Sequence, residues 1–120
     1  MTNFTQPQRE ALIELMCLAI FTDGRVSPAE ETAMMHALKK LGWQSDRPRE
    51  FVLLKALTEA RDLTGDEKCL VPFLASRAGL FETKEQHDLA LKFLMMVLEI
   101  DGMGEDKDTF LARVEAAFND

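Results

Sequence analysis

The sequence predicts an all-α fold: a single compact helical bundle of about six or seven helices spanning the whole chain. Three observations lead there. Apolar residues recur at i, i+3, i+4 and i+7 along most of the sequence, two capping boxes mark helix starts, and the alternation expected of strands is missing. Composition agrees. With 47% hydrophobic and 29% charged residues the 120-residue chain is too apolar for disorder, and Tyr is absent.

The first helix is expected from Pro7 to about Thr22, with Leu12, Leu15, Met16, Ala19 and Ile20 on one face. Glu14 is its only charge between Ala11 and Phe21, so protein should surround this helix. Asp23-Gly24 ends it, because glycine takes the left-handed conformation that helix ends favour. The second helix opens on the capping box Ser27-Pro28-Ala29-Glu30, carries Met34, Ala37, Leu38 and Leu41, and stops at Gly42, with Trp43 packing back over its last turn. A third runs from about Pro48 to Leu63 through Leu53, Ala56, Leu57 and Ala60, and Thr64-Gly65-Asp66 breaks it. Between Glu67 and Phe81 the pattern is least clear. Leu70, Val71, Phe73 and Leu74 are core candidates there, and Pro72 must start or kink a helix. The second capping box, Thr83-Lys84-Glu85-Gln86, opens a central helix with Ala90, Phe93, Leu94, Val97 and Leu98 in phase. It ends at Asp101-Gly102. The last helix, about Glu105 to Phe118, is expected to bury Phe110, Leu111, Val114, Ala117 and Phe118.

The formal net charge of -7 disfavours nucleic acid, whose phosphates would be repelled, and favours a basic partner or a cation. No apolar run reaches the roughly 20 residues of a membrane span, and MTNFTQPQRE lacks the layout of a secretion signal, so a cytoplasmic protein with no membrane insertion is expected. Cys17 and Cys69 stand singly in apolar surroundings and are expected to be buried free thiols. His36 and His87 stand alone and are expected at the surface or half-buried. No G-x-S-x-G, phosphate loop, H-E-x-x-H or Cys/His cluster is present, so no enzyme activity and no organic cofactor are expected.

The feature that organises the chain is a turn used twice. Two very apolar helices end in Asp-Gly, at Asp23-Gly24 and Asp101-Gly102, and each leads through a short polar turn into an amphipathic helix. Asp23 is followed seven positions later by Glu30, and Asp101 by Asp108. Behind the second turn, however, Leu111, Val114 and Phe118 align with Met34, Ala37 and Leu41 at an offset of 77 and not 78. The second loop therefore reads one residue shorter, and Asp108 corresponds to Glu30 or to Glu31.

The stretch AIFTDGRVSPAEE (residues 19–31), with its looser echo LEIDGMGEDKD (98–108), resembles the tellurite-resistance TerB-like family, whose pattern is an apolar helix, D-G-x-[IV]-S-x-x-E and an amphipathic helix. With the all-helical reading, the resemblance covers nearly the whole chain. It implies a pseudo-symmetric bundle with the acidic residues of both turns close together. It also implies an association with stress response and tellurite resistance, and a divalent cation held by those residues. Carried onto this sequence, the ligands are Asp23, Glu30, Asp101 and Asp108.

The physics leaves two readings. Ca²⁺ or Mg²⁺ wants hard oxygen donors, so one turn is too few, whereas two turns face to face supply four carboxylates that would otherwise repel one another. Equally, Asp23 ends a helix, Glu30 is accounted for as the capping partner of Ser27, and Asp101, Glu105, Asp106 and Asp108 form a solvated acidic face. No EF-hand loop is present. The second reading makes the chain a metal-free helical adaptor that binds another protein through its acidic surface, or through an exposed member of the pairs Met34-Met35 and Met95-Met96.

Overall fold

The structure, a computed structural model, describes residues 4–22, 27–43, 45–100, 102 and 104–119. Among these lie six helices and no strand: α1 (Gln6–Ile20), α2 (Pro28–Leu41), α3 (Arg49–Leu63), α4 (Glu67–Ala78), α5 (Lys84–Leu98) and α6 (Glu105–Phe118). The all-α bundle read from the periodicity is what forms.

Capping chemistry explains where three of the helices begin. Ser27 and Thr83 cap α2 and α5 in the two boxes read from the sequence, each side chain accepting from the backbone N–H three residues on. A third box, Thr5 with Gln8, starts α1, one residue before the start expected at Pro7. Its signal, Thr5-Gln6-Pro7-Gln8, has the same Thr-x-x-Gln form as Thr83 with Gln86. Gly42 ends α2 at φ +80, a left-handed conformation costly for any residue with a Cβ. Trp43 packs back onto the core as expected, and its indole N–H donates to the Arg47 carbonyl at 2.7 Å.

α1 runs through the centre, against α2, α3, α4 and α5. From Ala11 to Ile20 every residue but Glu14 is buried. Each of Leu12, Ile13, Leu15 and Leu18, fully out of water, contributes about 1.5–3 kcal/mol of transfer free energy. α5 is more one-sided. Ala90, Phe93, Leu94, Val97 and Leu98 are buried as read, while Leu91, Met95 and Met96 are half-buried.

The obscure segment resolves into α4, with Pro72 inside the helix. Proline removes the amide that would bond the carbonyl four residues back, and the helix continues past it. Of the four core candidates there, Leu74 is buried, and Leu70 and Phe73 are half-buried. Val71 is 52% exposed because it lies about 100° around the helix from Leu70. Cys69 is a second correction: it sits in the first turn of α4 and is exposed, whereas Cys17 is buried as expected. In α6, Phe110, Val114 and Phe118 are buried, and Leu111 and Ala117 only partly so.

The helix bounds define the repeat. α1 and α5 are 15 residues each and superpose in sequence at an offset of 78; α2 and α6 are 14 each, at 77. The connecting segments are residues 21–27 and 99–104, so the second is shorter by one. At the N-terminal ends of α1 and α5 the equivalent residues Gln8 and Gln86 exchange side-chain hydrogen bonds, at 3.2 and 3.3 Å. Two helix starts at equivalent positions of the sequence repeat thus meet.

Candidate functional site

At the other end of the repeat, Glu30 is the third residue of α2 and Lys107 the third residue of α6. The register therefore makes Lys107, and not Asp108, the counterpart of Glu30; Asp108 corresponds to Glu31, and both are exposed. Glu30 is 1% exposed and Lys107 4%.

Glu30 carries out the capping role assigned to it. Ser27 N–H donates to its Oε1 at 3.0 Å, and its own N–H donates to Ser27 Oγ at 3.0 Å. Its other oxygen, Oε2, faces the Lys107 ammonium at 3.7 Å and has no hydrogen-bond partner among the described residues. Lys107 Nζ donates to the Leu98 carbonyl at 2.9 Å and to the Gly102 carbonyl at 3.2 Å. Leu98 is the last residue of α5, so its carbonyl has no intrahelical donor and would otherwise be stranded in the interior. One ammonium thus caps α5, holds the Gly102 carbonyl and faces the carboxylate that starts α2.

Of the four carboxylates proposed as cation ligands, Asp23 and Asp101 lie outside the described residues. Glu30 is directed inward at an ammonium, and Asp108 is exposed in the acidic first turn of α6, where its charge favours the helix N-terminus. A hard divalent cation asks for at least six oxygen donors. Among the described residues no group of three or more His, Cys, Asp or Glu is placed to hold an ion. The residue that composition and motifs passed over is Lys107. Its signal was available: one basic residue in the acidic run Glu105-Asp106-Lys107-Asp108, in register with Glu30 at the 77-residue offset.

Elsewhere, polar groups are used to hold helices together. Buried Arg9 donates from Nε to the Leu41 carbonyl at 3.2 Å, closing the end of α2 as Lys107 closes α5. A groove of about 530 Å³ between α1, α3 and α4 is lined by Glu10, Glu14, Arg47, Lys55, Glu59 and Arg77. Arg77 grips Glu14 with two hydrogen bonds, at 2.9 and 3.1 Å, and lies 4.2 Å above the Phe73 ring. Burial nonetheless raises the Glu14 carboxyl above its ordinary range, against the lowering by Arg77. His36 is exposed; His87 is half-buried, its ring stacked on Phe118 with centroids 4.5 Å apart. His87 Nε2 lies 2.7 Å from the Phe81 carbonyl, which fixes that nitrogen as the donor. Burial pushes the Cys17 thiol up to about 12, and a hydrogen bond with Asp66 raises that of Cys69.

No helix among the described residues is long and apolar enough to cross a membrane. Compared with protein-family models, with curated proteins and with solved structures, the chain matches none.

Proposed function

We propose that the chain is a non-enzymatic, TerB-like helical module in which the junction between the start of α2 and the end of α5 is closed by its own lysine, and that it acts by binding another protein. One observation carries this reading: the buried Lys107 ammonium stands between the start of α2 and the end of α5, bonded to the Leu98 and Gly102 carbonyls and 3.7 Å from Glu30. A fixed positive charge there meets the need that a bound cation would otherwise meet, and it repels a second cation at Glu30. Protein binding is supported by Met35, 46% exposed beside its buried neighbour Met34, on the α2 rim of a small groove shared with Leu38 and Leu53. Methionine adapts readily to a partner's surface.

A second reading, the divalent-cation module with Asp23, Glu30, Asp101 and Asp108 as ligands, is favoured by the Glu30 Oε2 that lacks a hydrogen bond among the described residues. Thermal melts with Ca²⁺, Mg²⁺, Mn²⁺ or Zn²⁺ separate the two, run against NaCl of equal ionic strength on the natural chain and on Asp23→Ala/Asp101→Ala. Binding to the native state alone raises the melting temperature once free metal exceeds its dissociation constant. The lysine-closed module gives no cation-specific shift. A shift in the natural chain that the double variant loses establishes the cation module instead.

A further inference from the structure

α3 carries an outward face that the bundle leaves uncovered. Val52, Ala56 and Ala60 are buried against the core, whereas Phe51 is 69% and Leu54 64% exposed. At about 100° per residue, positions 51, 54 and 58 run along the middle of the outward face, and Glu50 and Lys55 flank it on opposite sides. Phe51 and Leu54, one turn apart, make an apolar patch among the otherwise polar and charged exposed residues of α3. The face also avoids the electrostatic cost of bringing two acidic proteins together: α3 holds three basic and three acidic residues in a chain of net charge -7.

We propose that this face pairs with the same face of a second copy, α3 running parallel to its counterpart about a two-fold axis along the helices. Phe51 and Leu54 take the two seam positions of a short coiled-coil segment. Glu50 then lies beside Lys55 of the second copy, five positions on, and the symmetry makes that contact twice. Antiparallel pairing sets Glu50 against Glu50 and Lys55 against Lys55, so charge selects the parallel arrangement. The seam is short, and the association belongs at the weak end of specific interfaces. It is independent of whether a cation binds the turns.

Sedimentation equilibrium from about 1 μM to about 1 mM tests this, a range that brackets small interfaces. The weight-average mass of the natural chain rises from 13.6 kDa toward twice that value. Leu54→Asp stays at the monomer mass. Glu50→Lys and Lys55→Glu each weaken association about tenfold or more, and Glu50→Lys/Lys55→Glu together restore it. The three altered positions, Glu50, Leu54 and Lys55, are at the surface, and far-UV circular dichroism confirms that each variant is folded. A natural chain that remains monomeric throughout, or that associates only with a different protein, overturns the proposal. So does association that survives Leu54→Asp, or single charge swaps that leave it unchanged, as antiparallel pairing requires.

Discussion

Replacing Lys107 by Met keeps most of the side-chain volume and removes the charge. Glu30, 1% exposed, then holds a carboxylate with no counter-charge among the described residues, and the Leu98 and Gly102 carbonyls lose a common donor. Breaking a buried pair from one side costs about 3–5 kcal/mol, against a total stability of about 5–15 kcal/mol for a domain of this kind. The melting temperature should fall by about 10–20 °C. Glu30→Gln also leaves a buried ion without its counter-charge, but it is the milder change, because the Lys107 ammonium still donates to both carbonyls and glutamine serves as the capping partner twice elsewhere in this chain, at Gln8 and Gln86. The two changes together cost less than their sum, since an uncharged site no longer contains a stranded ion. Urea denaturation of the four proteins, read by circular dichroism at 222 nm, measures the coupling. Additive losses, or a Lys107→Met cost below about 1 kcal/mol, refute the view that this ammonium joins the two halves.

Three further outcomes follow from the ionisable groups. In the native protein a maleimide should modify Cys69 alone, with Cys17 reacting only in denaturant, because Cys17 is buried and its thiol is held at about 12; mass spectrometry showing both modified at equal rates contradicts the packing of α1. Asp66→Asn, which keeps a capping side chain for α4 but removes the carboxylate whose hydrogen bond and, second, whose charge raise the Cys69 thiol, should speed that labelling near pH 8. The folded protein also holds the Glu14 proton more tightly than the unfolded chain. Its contribution to stability is therefore fully present below the ordinary value of 4.5 and is lost as pH rises through the raised folded value. Glu14→Gln should flatten the fall in urea midpoint just above that value, and a variant with an unchanged slope excludes this account.

Local rules made much of the fold readable. The boxes at Ser27 and Thr83, the glycine after Leu41 and the apolar periods of α1 and α5 are short-range features, complete within one or two helical turns, and the structure places them where the pattern does. Even the one-residue difference between the two loops was present as an offset of 77 against 78. Val71 and Cys69 were misjudged because a short apolar run around Pro72 has no phase of its own, and only the packing of α4 against α1 and α6 decides which side is wet. The candidate site was read as carboxylates because charge type is visible in a sequence and burial is not. Lys107 lies 77 residues from Glu30, and nothing local distinguishes it from a solvated lysine in an acidic turn. It becomes the counter-charge only once α5 ends beneath it and α2 begins beside it, when the cost of burying either ion alone makes the pair mutually necessary.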